Sequence, residues 1–470
     1  MFSFLTMSVL FGNIGYAYNL FLLFVFVCSF LALTVGIFCL LRRFAGKMAA
    51  CEQIILFLFL IAFFCVQLYL GYRLRFASAF DFAAVYKGAV QWLETGTFAD
   101  YYEYYHYFPN NLGAMAFLFL FFKLGSFLGI TNYFMLGVVL NGVLISLTIL
   151  FSYLAAKKLA GPAGGFACLY FFIVSLPFYI MAAAFYTDSL SMLFPVLFYN
   201  LYLSVKTAEG RSKNRRKLLY LAMAAVITIG AAIKFTVMIM AVAVIIDLLI
   251  SGKFRQACVT ATAVCMCFLL FQASFQSYLY KYHLDREQAA RMNTPLSHWV
   301  MMGLNSASQG AYHPEDYTFT RSFTNVEERN AAIREKIRER VKESGFDGLT
   351  RLYTRKLTKA FGDGTYALSD FLDDGPESPG KIHEYVLYDG AHYSGYKYAT
   401  QAALITAYLF VTIGAAAAFW RRDKTVLAPF AAVFGLLLFL AAWESSSRYF
   451  LNFIPILFLC AAYGAAARIR

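Results

Sequence analysis

The sequence predicts an all-α polytopic membrane protein: about eleven transmembrane helices, amphipathic helices in the first external loop and a mainly helical external insert. Three observations predict it. Of the 470 residues 60% are hydrophobic and only 14% charged, more apolar surface than soluble cores can hide. The apolar residues come in runs of roughly 17 to 25 without strand-like alternation, which means helices and excludes a barrel. Those runs are separated by short Lys and Arg clusters, so the net charge of +13 reads as the positive-inside bias of membrane helices and not as a nucleic-acid footprint.

The first span, residues 17–41, ends at Arg42, Arg43 and Lys47, which sets the N-terminus outside. It lacks a basic start and a small-residue cleavage site, so insertion without a cleaved signal is expected. The second span, 53–72, returns outward and leaves residues 73–131 as the first external loop. Residues 111–129 are apolar enough to cross. If they did, Lys157, Lys158 and the cluster Arg211, Lys213, Arg215, Arg216 and Lys217 would lie outside, so this segment is read as lying in the outer interface. Spans follow at 132–156, 164–180, 189–205, 218–233, 236–250 and 257–276, completing a transmembrane module over residues 1–276.

Residues 277–397 form a water-facing insert whose 17 acids and 16 bases nearly balance. Within it 324–343 predicts an amphipathic helix, with Thr324 and Glu327 as a capping box and a thin stripe of Val326, Ile333, Ile337 and Val341. A second helix is expected over 346–359, stopped by Gly362-Asp363-Gly364, and 370–380 reads as loop. Residues 398–470 close the chain with spans at 399–419, 426–441 and 450–467, the C-terminus inside. The nine cysteines fall in apolar or cytoplasmic segments, so no external disulfide framework is expected, whereas all six histidines fall outside.

Chemistry therefore gathers on the external face. Asp81 opens a helix with an apolar face of Phe82, Val85, Tyr86, Ala89 and Leu93, Gly88 and Gln91 lying toward the other side and Gly96 ending it. A helix of that kind rests on the membrane surface, and a carboxylate held there is partly stripped of water, as a general base requires. The plain alternative is an N-cap paired with Arg73 or Arg75. Asp188, in AAAFYTDSLSML, is either the N-cap of the next helix or a site acid. Glu444, in WESSSRYF, lies on the same side under a topology drawn without these acids. Lys234 either snorkels to headgroups or meets an anion, a lipid phosphate or Asp188, and Arg448 either meets a phosphate or pairs with Glu444. The run YYEYYHYF (101–108) suits an interfacial belt, and one or two of its rings could also hold a sugar. His298 and Trp299, in NTPLSHWVMMGLN, either line a polar site or pack against the membrane. No Walker A motif, Gly-x-Ser-x-Gly, His-Glu-x-x-His or close Cys/His spacing is present, which leaves nucleotide hydrolysis and zinc protease chemistry without support.

An acid in the first external loop, amphipathic helices beside it, the entry Tyr107-Phe108-Pro109 into a long apolar helix, and GPAGGFACLYFFIVSLPFYIMAAAFYTDSLSM (161–192) together resemble the C-type fold glycosyltransferases. The resemblance covers about residues 50–250 and points to the bacterial relatives of protein O-mannosyltransferases and aminoarabinose transferases; the insert and WESSSRYFLNFIP (443–455) look like those of bacterial membrane glycosyltransferases. It implies a polyprenyl-phosphate-linked sugar donor used on the outer face of a bacterial plasma membrane. The acceptor would be a cell-envelope glycan, teichoic acid, lipid or protein. Carried over, Asp81 matches the first-loop catalytic acid and Asp188 the acid of the second external loop, with Glu444 a further site acid. Lys87, Lys234 and Arg448 become the candidates for the donor phosphate. Tyr86, Tyr107, Tyr186, His298 and Trp299 become those for the sugar or acceptor. Relatives often carry Asp-Glu or Asp-x-Asp pairs. Here Asp81 precedes Phe82 and Asp188 stands in Thr-Asp-Ser, so a divalent cation, Mg or Mn, is left open and no cofactor is required. A glycan polymerase or ligase and a lipid-linked sugar transporter are the competing classes. Scarce charges within the spans (Lys123, Lys234, Asp247) and the absence of an inverted repeat speak against transport.

Overall fold

Every named element in the computed structural model is a helix, over the residues it describes, 18–207, 213–372 and 375–469. The expected span start at Ala17, Arg211 of the basic cluster, Asp373 and Asp374 of the predicted loop, and Arg470 lie outside these residues. Among the described residues nine helices are long and apolar enough to cross a membrane, ten if the bent pair Pro177–Ala183 and Thr187–Lys206 counts as one span.

The first helix, Leu20–Ala50, begins where the Asn19 side chain accepts from the Leu22 amide at 3.1 Å. Phe21 is 77% exposed; Leu20, Phe24, Ile54, Phe57 and Leu58 are exposed too. An apolar rim of this size is stable only against lipid. Tyr133–Val174 contains the span predicted at 132–156 and the first part of that predicted at 164–180, separated at Gly161, whose φ of 76° lies in the left-handed region; Pro162 then opens the second half. The expected span 164–180 is broken instead of continuous. Its helix stops at Val174, before the Ser175–Leu176 break and the Pro177–Ile180 turn, because Pro177 has no amide to donate to the Ile173 carbonyl, which the Tyr179 hydroxyl takes instead at 3.0 Å. The next, expected from 189, forms a regular helix only over Leu193–Thr207, and the bend between Pro177–Ala183 and Thr187–Lys206 is 111°. Ile454–Ile469 is the core, packed between Tyr393–Trp420 and Tyr133–Val174. Backbones approach so closely there that a Cβ on Gly464 would collide with the Phe410 carbonyl.

The helix ends sort into two sets. At one end Lys157 pairs with Glu52 at 2.6 Å, Lys158 donates to Ser204 at 3.1 Å, Lys206 pairs with the buried Asp247 at 2.7 Å and the Tyr199 hydroxyl reaches the Thr425 carbonyl at 3.3 Å. The opposite end gathers Arg75, Asp81, Asp188, Lys234 and Glu444. Leu112–Phe127 has the length and composition to cross, but both its flanks are tied at that second end. Asn111 bonds Tyr104 and Tyr186, and Asn132 bonds Arg75 at 3.0 Å. The first loop thus folds back on itself.

The insert begins late, because the preceding helix runs on to Tyr282. Its long helix spans Val326–Phe361 with a kink at Gly345 (φ 58°), joining the two helices expected from sequence. The capping box of Thr324 and Glu327 does not form. Asn325 takes the extended conformation and its side chain accepts from the Glu328 amide at 3.1 Å, one residue later than expected. The apolar stripe reduces to a buried Ile333 flanked by half-buried Val326 and Ile337, Val341 being 42% exposed. Arg340 clasps Asp316 through two hydrogen bonds, at 2.5 and 3.1 Å, and closes the insert on itself. The predicted loop 370–380 starts with the last turn of Ser369–Leu372, then lies against the residues before Asp81: the Ala77 amide bonds the Gly375 carbonyl at 2.9 Å and the Glu377 amide the Arg75 carbonyl at 2.9 Å.

Candidate active site

The loop helix Phe80–Thr95 carries Asp81 in its first turn and ends at Gly96. Ala79 is the N-cap, without a side-chain bond, so Asp81 is not the cap; Arg75 goes to Asn132 and, at 3.9 Å, to Glu377. Of the expected apolar face Phe82, Val85 and Ala89 are buried and Tyr86 and Leu93 half-buried, while Trp92, outside that face, is buried as well. Gly88 is corrected. It faces inward, where a Cβ would stand 3.2 Å from Met115 Sδ, because the hydroxyl-bearing Tyr105 and the helix Leu112–Phe127 crowd that side.

Half-buried Asp81 accepts from the Tyr104 hydroxyl at 2.9 Å, and Asn111 donates to that hydroxyl at 2.5 Å and to Tyr186 at 3.3 Å. Burial pushes the Tyr104 hydroxyl well above the usual tyrosine range, with Tyr186 and Asp81 adding to it, so Tyr104 stays a donor.

Asp188 lies in the short turn Thr187–Leu190, whose N-cap is Tyr186, so the capping alternative is not what the structure has. It is 2% exposed and forms an ion pair with Lys234 through Oδ1; Oδ2 is buried with no hydrogen-bond partner among the described residues. Lys234 sits at the break between Lys213–Ile233 and the turn Phe235–Val237, in extended geometry, with its ammonium 4.7 Å from the centre of the Tyr449 ring. The snorkelling alternative is therefore not taken.

Glu444 and Arg448 follow the helix Leu427–Ala442. Glu444 is 5% exposed and accepts from the Tyr449 hydroxyl at 3.1 Å. Burial pushes its carboxyl up, Arg448 opposes this and Asp81 adds to it. Arg448 has no carboxylate at ion-pair distance among the described residues. Its guanidinium stands 5.5 Å from the ring of Tyr186, 5.4 Å from that of Phe371 and 5.4 Å from that of Tyr449, within electrostatic reach of Asp188 and Asp81. Below, Asn452 donates to Thr236 at 3.1 Å and Ser191 at 3.3 Å, and Asp363 takes the Ser447 hydroxyl at 2.7 Å. Three acids and two cations from four distant stretches of chain thus share one walled cluster.

The remaining candidates fall elsewhere. Lys87 is exposed on the loop helix, and none of the cluster's contacts involves it. Tyr86 is packed among Phe82, Phe122, Phe134 and Phe185, a packing position. Tyr107 lies under Arg321 at 3.5 Å. His298 bonds Thr320 at 2.7 Å, and Trp299 stacks on Trp443 at 6.2 Å, at the rim beside Glu444. The sequence marks Tyr104 only as one ring of the run 101–108, and it does not single out Asn111, Phe371 or Tyr449. Of the last three only Asn111 leaves a signal, an amide at the start of a long apolar helix.

No set of three or more His, Cys, Asp or Glu side chains converges on a common point among the described residues. The acids of the cluster are held by Lys234 and by tyrosine hydroxyls, a set that can accept protons and meet an anion without a metal step.

The chain matches none of the curated proteins at a significant level. Among solved structures, ArnT from Cupriavidus metallidurans bound to undecaprenyl phosphate is similar to it, at 10% identity over 89% of this chain and 77% of that one, with a TM-score of 0.35. A likeness that low carries no argument. Residues 11–468 match the model of a family described as conserved hypothetical integral membrane protein, and the chain belongs to that family.

Proposed function

We propose that the protein is a membrane glycosyltransferase that moves a sugar from a polyprenyl-phosphate-linked donor to a cell-envelope acceptor at the outer face, with inversion. The observation that carries this reading is the cluster itself: Asp81 hydrogen-bonded through Tyr104 to Asn111 and Tyr186, beside Asp188, Lys234, Glu444 and Arg448. Buried acids and bases at helix ends are costly and mark chemistry more often than packing.

Asp81 takes the proton of an acceptor hydroxyl as that oxygen bonds to the anomeric carbon and the bond from carbon to phosphate oxygen breaks. Polyprenyl phosphate leaves with the electron pair, its growing charge met by Arg448 and Lys234. Tyr104 keeps Asp81 aimed, Asn111 keeps Tyr104 aimed, and Asp188 Oδ2 offers an acceptor for a sugar hydroxyl. Arg448 suits the phosphate role because its fork is held on aromatic faces and not consumed by a carboxylate. The membrane setting suits a donor whose tail stays in lipid while its phosphate reaches the interface.

Purified protein in detergent, given donors linked through one phosphate and donors linked through a diphosphate, tests this. Transfer from the monophosphate-linked donor is expected. Transfer only from diphosphate-linked oligosaccharides would favour a polymerase or ligase, and no transfer from either would sink the reading.

A further inference from the structure

Lys356, on the far half of the insert helix Val326–Phe361, has no exposed surface at all. Its ammonium donates to the Gly303 and Ala441 carbonyls at 2.9 Å each. Both carbonyls belong to helix ends, Leu296–Gly303 in the insert and Leu427–Ala442 in the membrane domain, where the last turn leaves acceptors unfilled and the dipole favours a cation. The socket is cut to this side chain. A Cβ on Gly303 would lie 2.8 Å from the Lys356 ammonium and 2.7 Å from the Trp443 carbonyl, and one on Gly310 would lie 2.7 Å from Lys356 Cδ. The Ser445 amide also bonds the Gly310 carbonyl at 2.8 Å, so the insert side of the socket is tied to the segment 441–445 that carries Glu444 and leads on to Arg448. Burial brings the Lys356 ammonium down to about 8, with the Glu444 charge opposing, so the lysine remains a cation at neutral pH.

Burying a lone ammonium is expensive, and an insert could be seated on a membrane domain by apolar contact alone. We infer that Lys356 is a positioning residue, the strut through which the external insert sets the placement of Glu444 and Arg448. The inference rests on reading their cluster as a transferase site.

The test compares wild type with Lys356→Met, which keeps the stem and removes the charge, and with Gly303→Ala, which keeps the charge and wedges a methyl into the socket. Hydrogen exchange over residues 441–453 is expected to quicken about tenfold in both variants, the loss of roughly one hydrogen bond, with the core helix Ile454–Ile469 unchanged. Turnover should fall about 100-fold through misplacement while KM stays within about threefold. Unchanged exchange over 441–453 overturns the strut. Faster exchange with unaltered turnover overturns its role in positioning. Global unfolding of both variants overturns it as well, since a strut at one seam loosens that seam and leaves the membrane core intact. A wild type without transfer sinks the transferase reading and the positioning role together, while exchange still decides the strut.

Discussion

Removing Lys234 gives the sharpest energetic test of the cluster. In Lys234→Met the volume is nearly kept, so no large cavity forms, but Asp188 loses the cation on Oδ1 while its Oδ2 already lacks a hydrogen-bond partner among the described residues. The side chains are 13% and 3% exposed, so water cannot take over. Breaking a buried pair from one side costs about 3–5 kcal/mol, whereas removing both charges is close to neutral. Lys234→Met should therefore be destabilised by about 3–5 kcal/mol, and Asp188→Asn combined with Lys234→Met should return to within about 1 kcal/mol of wild type, a recovery of about 2–4 kcal/mol over the single variant. Reversible unfolding in mixed micelles measures both. Transfer should be lost in the single and the double variant alike, separating stability from chemistry. A single variant as stable as wild type, or a double variant no better than the single, would refute the reasoning.

Other outcomes follow from named contacts. Burial holds the His298 imidazole down to about 4, from an ordinary value of 6.5. The unfolded chain then binds more protons across that window, so stability is full above pH 6.5 and falls as pH drops toward 4, by up to about 3 kcal/mol; unfolding followed from pH 7 to 4.5 should show a slope that His298→Gln flattens. Gly464→Val would drive its side chain into the Phe410 carbonyl and separate the core helices, costing several kcal/mol, about 3 or more, read as loss of folded protein on gel filtration. Asn111→Ala removes the donor to Tyr104 and Tyr186 and should cut turnover about tenfold or more at nearly constant donor affinity, with about 1–3 kcal/mol lost in stability.

The membrane architecture was legible because lipid imposes long apolar runs and the basic clusters sort the helix ends into two sets. That one rule, applied without regard to chemistry, already brought Asp81, Asp188 and Glu444 to the same end of the bundle. The partners of those acids were not legible. Tyr104 is one of five tyrosines in YYEYYHYF, and only the packing of the short helix Tyr102–Tyr107 against the loop helix decides which ring reaches Asp81. Phe371 meets Arg448 because the insert folds back over the loop helix, a pairing across 77 residues that no local pattern encodes. Asn325 displaced Thr324 as cap because both suit that role and backbone geometry chose between them. The inward face of Gly88 is not legible, because a residue without a side chain gives hydrophobic periodicity nothing to read. Lys356 looked like one charge among many on an amphipathic helix, and two glycines more than 40 residues away make it a buried one.

Asp81→Asn tests the central claim most directly. Asparagine can still accept from Tyr104, so the fold and polyprenyl phosphate binding should persist, while transfer from a monophosphate-linked sugar donor should drop by about 10²–10⁴ for want of a base. Transfer at the wild-type rate in that variant would contradict the account.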